Sequence, residues 1–354
     1  MLAGVIESST RRLGVVWSGS AWREPNGTPG YALVAFDLDA PELGPRTLAL
    51  PFFPHGVVPD PTAPHRAALF EKHGPGAAIV DLAAMEILRI LEPAPGRQFY
   101  GHGAFSADGR TLWCTETDVR DGADRRGWLG VIDTSDDSRI GDLHTHGRAP
   151  HDCWLVDGAL VVGNGGGAHG QPDPPSLVWI DPTTGACLER RYPPDPRHDV
   201  GHLAIATTGD VAIASAPRFG TPDPTRAPGG LVVTRRDAPA IAIDGPTEIT
   251  SSMIGETLSV ALHEPSGTIA ATNPEGHLLS FWSIADGSSR GHLRIPNPRG
   301  VALTLDGHEL VVSFGAQGKL VRIDVNTLQP VDVPGNRDGV AVGATGSHLL
   351  VHFA

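Results

Sequence analysis

Apolar residues in this chain come in short runs bounded by glycine, proline and aspartate. No stretch keeps the 3.6-residue period of an amphipathic helix, and the runs have the length and punctuation of strands. They recur in groups of four. One group reads HGAFSADG (102–109), TLWCTETD (111–118), WLGVIDTSD (128–136) and RIGDLHTHG (139–147). The next reads HDCWLVDG (151–158), ALVVGNGG (159–166), SLVWIDPTTG (176–185) and CLERRYPP (187–194). Other groups begin at HGVVPDPTAP (55–64), HLAIATTG (202–209), SVALHEPSG (259–267), GVALTLDG (300–307) and GVAVGATG (339–346).

The starts at 55, 102, 151, 202, 259, 300 and 339 are separated by 47, 49, 51, 57, 41 and 39 residues. Four strands at a period of about 40–50 residues mark the blades of a β-propeller. The expectation is an all-β chain, a seven-bladed propeller in one domain over residues 1–354, with six or eight blades as the neighbouring counts. The N-terminal pieces GVVWSGS, YALVAFDLD and RTLALPFF lack an inner strand of their own, and the last group is cut short after SHLLVHFA. Pairing of N- and C-terminal strands would complete one blade and remove the exposed edges. Which terminus supplies that blade's second strand stays open at this level.

Aligned on their first Gly turn, the groups place histidine at one point. His102, His151 and His202 each stand seven residues before a glycine (Gly109, Gly158, Gly209), and His55 precedes an equivalent strand whose turn is rich in proline. The corresponding residues elsewhere are Ser259, Gly300 and Gly339. In a propeller the first strand of each blade lines the axis, so His55, His102, His151 and His202 are expected to converge near one mouth. One histidine at a strand start is ordinarily a satisfied loop residue. Four packed together without a cation would bury polar groups that lack partners, whereas a divalent transition metal satisfies them. Imidazole suits Zn, Cu, Fe and Ni alike, so the donor type leaves the ion open among them. Glu116, Asp152, Asp199 and Glu256 could receive the second ring N–H groups.

Composition narrows the partners. A net charge of -13, from 27 Lys+Arg against 40 Asp+Glu, repels polyanions and excludes nucleic acid. No apolar run approaches the roughly 18 residues of a membrane span. The first residues show no signal peptide, so a cytoplasmic location is expected, or a periplasmic one if a leader has been removed. Cys114, Cys153 and Cys187 lie in strand-like runs without metal-type spacing and read as buried small hydrophobes.

Segments 20–30, 119–127, 163–175 and 216–229 read as long loops between second and third strands, on the face where the inner strands begin. They contrast with the minimal turns ADG, VDG, TTG and LDG opposite, and they mark that face as functional. They carry Arg23, Arg120, Arg125, Arg126, Arg218 and Arg226, which fit either a small anionic substrate or, as is commoner for any single arginine, solvated loop charges. His146, His169 and His198 lie near the same face as candidate proton donors, with His144 on the same side of its strand as His146. No nucleophile elbow, zincin motif or paired-carboxylate signature is present. Three readings follow: a metal-dependent oxidoreductase or oxygenase acting on a small molecule, a non-catalytic metal-binding or interaction propeller, and a metal-assisted lyase or hydrolase. The expected state is a monomer or small homo-oligomer.

The stretches FYGHGAFSADGRTLWCTETD, IGDLHTHGRAPHDCWLVDGALVVGNGG, PSLVWIDPTTG and GHLAIATTGDVAIAS resemble a bacterial family of uncharacterised propeller proteins. The resemblance is densest over residues 97–215, and its GHG, PH and HLA motifs fall on His102, His151 and His202. It implies a propeller fold, export from the cytoplasm and iron-related gene neighbourhoods. This chain departs from the family in lacking the usual export signal and in having Gly201 where arginine is usual. A second resemblance is architectural: carotenoid-cleaving oxygenases are seven-bladed propellers that hold Fe(II) on the axis with four histidines. Together the two resemblances imply Fe(II) as the ion, then Cu, then Zn.

Overall fold

The computed structural model describes residues 12–120, 125–235 and 238–353. Twenty-eight strands form seven four-stranded antiparallel blades, and one further short strand bridges two of them. Blade one combines the strand Leu350–His352, innermost, with Val15–Arg23, Pro29–Asp37 and Arg46–Leu50. The inner strands of blades two to seven are Gly56–Pro59, Arg97–Phe105, Pro150–Val156, His202–Ile205, Ser259–His263 and Pro298–Leu303. Closure is by antiparallel pairing of Val15, Val16 and Trp17 with His352, Val351 and Leu350. The N-terminal segment thus supplies the second, third and fourth strands of the closing blade. Among the described residues no helix is long and apolar enough to cross a membrane.

Burial falls from the middle of each blade to its rim, and the sequence follows it. Strands covered on both faces are continuous apolar or small runs, such as Val211–Ser215 and Leu278–Ser283, which are buried throughout. The rim strand Glu86–Leu91 is exposed in all but its last residue. Neighbouring blades share their cores: Phe70 and Ile79 of blade two pack with Phe99, Phe105, Leu112 and Ile132 of blade three. The turn glycines that set the repeat register are required by conformation. Gly109, Gly209 and Gly307 hold φ of 69°, 82° and 68°, and each donates its amide to the carbonyl three residues back at 2.9 Å.

Three expectations are corrected. The segment at 339–346 is not a seventh inner strand: Val340–Ala341 pairs with Lys319 and Leu320 as the outer strand of blade seven. Its apolar GVAVG pattern fits either place, and the inner position is taken by Leu350–His352. Segment 20–30 is largely strand, because a long hairpin continues pairing through Ala21–Tyr31 and Arg23–Pro29. Cys114 and Cys153 are buried, but Cys187 is exposed at the start of the rim strand Cys187–Arg191.

Candidate metal centre

The axial imidazoles are delivered at the starts of inner strands, two of them by a local irregularity of the strand. His55 stands just before its inner strand, with its amide donating to the Phe70 carbonyl at 2.8 Å. His102 sits where the register slips between the pairs Cys114–Gly103 and Glu116–Phe99. Thr115 fills the gap, its hydroxyl accepting from the His102 amide at 3.2 Å and donating to the His102 carbonyl at 3.0 Å. His151 occupies a similar slip between Pro150 and Asp152. Such bulges re-aim one side chain without ending the strand. His202 heads its strand opposite Ala214, and His348 lies two residues before the closing strand, its carbonyl accepting from the Ser18 hydroxyl at 3.1 Å. Close approach of these segments requires glycine. A Cβ on Gly101, at φ 105°, would stand 2.5 Å from His55 Cδ2, and one on Gly56 would stand 2.2 Å from the Gly101 carbonyl oxygen.

His55, His102, His202 and His348 bring one ring nitrogen each within 4.8 Å of one another. The Nε2 atoms of His55 and His348 are 3.1 Å apart, close to the roughly 3.3 Å between neighbouring nitrogens on a tetrahedral ion with bonds of about 2.0–2.1 Å. His202 donates Nδ1–H to the Leu258 carbonyl at 2.5 Å, which fixes its tautomer and leaves Nε2 a lone pair. His102 turns Nδ1 toward Asp152, 3.5 Å from Oδ1. That carboxylate is itself anchored by the amides of Cys153 at 2.8 Å and Leu203 at 3.0 Å. The remaining Nε2 atoms of His102 and His202 are buried with no hydrogen-bond partner. Burial pushes His55, His202 and His348 well below the ordinary imidazole range, reinforced by neighbouring rings and Lys72. His102 is lowered by burial against the pull of Asp152. All four are therefore neutral with lone pairs available, which is the state a transition metal binds.

His151 belongs to the same group of rings, 4.2 Å from His202 between centroids, but its Nε2 accepts from Lys72 Nζ at 2.9 Å. Lys72 arrives on the additional strand Lys72–Gly74, an excursion of the blade-two hairpin that pairs with Tyr100 and Phe99 of blade three. Burial lowers its pKa despite Glu256 and Asp199. Burial raises Asp199 to about 7, although the Ala216 amide donates to it at 2.7 Å, and raises Glu256 as well. Tyr100 is pushed up to about 12, and its hydroxyl accepts from Arg125, whose guanidinium lies 4.5 Å from the Phe219 ring centre. The strand-start side of the cluster is thus packed with buried ionisable groups.

The other side is open. A cavity of ≈ 360 Å³ is lined by His102, His202 and His348, then by inner-strand residues such as Val57, Ile205, Leu262, Leu303 and Val351. Ile205, Leu262 and Leu303 lie toward the ends of their strands, so the cavity runs from the histidines toward the short-turn face.

The remaining candidates lie elsewhere. His146, on the rim strand Ser138–Arg148, contacts the Gly185 carbonyl at 2.8 Å and stacks edge-on with His144. His169 is exposed in a loop, its amide donating to the Phe219 carbonyl at 2.7 Å. His198 contacts the Pro228 carbonyl at 2.9 Å and lies 3.8 Å from Asp195. Glu116 is clasped by Arg97 and Arg139. Arg218 is engaged by carbonyls of Gly167, Ala168, Gln171, Asp173 and Pro196 and ties the 165–175 loop down. Arg120 pairs with Asp118 at 2.9 Å.

Sequence reasoning missed His348, Lys72 and Tyr100. His348 has no Gly turn after it from which to count back, because its strand pairs with residues 15–17. The available signal was its place in SHLLVHFA, the run expected to close the ring. Lys72 sits on an unrepeated excursion and carried no signal. Tyr100 stands two residues before His102 on one strand and so could have been placed on the same side.

No protein among the curated sequences matches the chain. Among solved structures it is similar to hydrazine synthase of Kuenenia stuttgartiensis, with a TM-score of 0.63 and 13% identity over 91% of this chain and 99% of that one. It is also similar to a chain of a mitotic checkpoint complex, with a TM-score of 0.57 and 11% identity over 78% of this chain and 74% of that one. At such identities the likeness speaks for the propeller alone. The family described as "Protein of unknown function (DUF1513)" matches residues 48–339, which takes in blades two to six and all but the outer strand of blade seven, and this chain belongs to it.

Proposed function

We propose that His55, His102, His202 and His348 hold one divalent transition metal ion, Fe(II) first, then Cu or Zn, and that the centre serves oxidative chemistry on a small substrate. The observation that carries the reading is the pair of buried, unpartnered Nε2 atoms on His102 and His202 within a four-nitrogen cluster. An unmet polar atom costs about 1–3 kcal/mol in a protein interior, and one cation satisfies the whole set. A bound ion would supply a Lewis-acidic, redox-capable centre. The chain's own part is to keep the imidazoles neutral by burial, to orient His202 through Leu258 and His102 through Asp152, and to exclude water on the strand-start side. His151, held by Lys72, borders the ligands. A ligand set of neutral imidazoles with a cavity beside it favours chemistry over a structural role, since a closed site would leave no room for substrate.

Metal analysis of the full chain, purified aerobically and anaerobically, tests this. Close to one equivalent of a single transition metal is expected, and less than about 0.2 equivalents of any in both preparations would overturn it. A redox-inactive ion such as Zn in the native protein would move the chemistry to metal-assisted hydrolysis or elimination.

A further inference from the structure

We infer that the axial cavity binds an uncharged, mainly apolar small molecule that arrives from the short-turn face, its one polar end directed at the histidine cluster. This rests on the metal-centre reading above for what lies at the inner end. Three observations support it. The lining is built from Val, Leu, Ile and Ala of five inner strands, and among the described residues it contains no lysine or arginine. Its single carboxylate, Asp152, is occupied by two amides and faces His102. At the inner end, His202, only 4% exposed, presents the partnerless Nε2.

The two sides of the cluster differ in what they admit. The strand-start side holds Asp199 and Glu256 against Lys72 and Arg125, so its charges are matched among themselves, and Arg218 is already engaged by main-chain carbonyls. A charged ligand entering the cavity would lose its hydration against aliphatic walls with no counter-ion. An apolar one gains about 0.8 kcal/mol for each methylene buried. At ≈ 360 Å³ the cavity lies in the range of small-molecule sites, about 300–1,000 Å³. Trp154, 44% exposed, is part of the lining and adds a flat apolar surface to it.

The test titrates the linear alcohols from butanol to octanol into metal-loaded full-length protein by calorimetry. Octanoate and hexylammonium serve as charged probes. Each added methylene should tighten binding about threefold to fourfold. Leu262→Arg, which puts a charge into the cavity wall, should weaken octanol at least about tenfold with metal content unchanged. Should that variant fail to fold, Ala302→Phe, which fills the same wall, should give the same loss. Affinity independent of chain length, preference for either charged probe, or insensitivity to both wall variants would overturn the inference. The two readings fail separately. Alcohols that bind with the chain-length slope to protein unable to hold metal would sink only the metal centre. Stoichiometric metal without alcohol binding would sink only the cavity ligand.

Discussion

Blades one to five each bring an imidazole to the axis (His348, His55, His102, His151 and His202), whereas blades six and seven bring Ser259 and Gly300. The two small residues are not vacant versions of the histidine position. Ser259 Oγ accepts from the Val301 amide at 3.2 Å and so joins the two blades. The Gly300 amide donates to the Ser313 hydroxyl at 3.0 Å, and a Cβ there would stand 2.7 Å from the His348 backbone. Side chains withheld on that arc leave volume, and Val260, Leu262, Ala302 and Leu303 of those blades line the cavity. The histidine blades decide where donors stand, and the other two decide where a ligand finds room.

The largest expected effect separates the two arcs directly. His202→Ala should lower affinity for the bound ion by more than about 100-fold in a competition titration with a metal chelator. Ser259→Ala should stay within about threefold. Equal losses in both variants would dissolve the distinction. Next comes the pH dependence of the charged side. Asp199 has a folded pKa of about 7 against an ordinary 3.8, so folding favours its protonated form. Its contribution is unfavourable at high pH and vanishes at low pH, which makes stability fall as pH rises from about 4 to about 7. The advantage of Asp199→Asn over the parent should therefore grow across that window by about 2–4 kcal/mol, read from urea unfolding at pH 5 and pH 8. Comparison with the parent is essential, because the buried neutral histidines give the opposite slope. The smallest effect concerns orientation within the histidine arc. Asp152→Asn should weaken metal binding about tenfold while leaving the blade count and circular dichroism unchanged. No change in affinity would reduce Asp152 to a strand anchor.

The fold was legible because it is written locally. Turns such as SADG and TTG repeat where the backbone must pass through positive φ, and the middle strands read as unbroken apolar runs. The candidate centre was legible only where that register applied. His55, His102 and His202 came from counting strand starts, but His348 is in register through a partner strand more than 300 residues earlier in the chain. The same gap made 339–346 look like an inner strand. Lys72 enters through an excursion that breaks the repeat, and its contact with His151 depends on a cross-blade pairing that no periodicity encodes. Which side of the cluster is filled and which is open depends on side-chain volumes meeting across the axis. Loop length pointed to one face; packing left the cavity on the other.

The placement of His348 has a consequence for how the molecule comes into being. Every other imidazole of the cluster is synthesised by residue 202, but the fourth nitrogen arrives two residues ahead of the last strand to be laid down among the described residues. That same strand shuts the ring. During synthesis, a nascent chain that has not yet extruded this segment can order several blades and still offer an incomplete donor set. Acquisition of an ion would then certify that the circle has been sewn shut, and the bound ion would in turn act as a rivet between the first blade and the fifth.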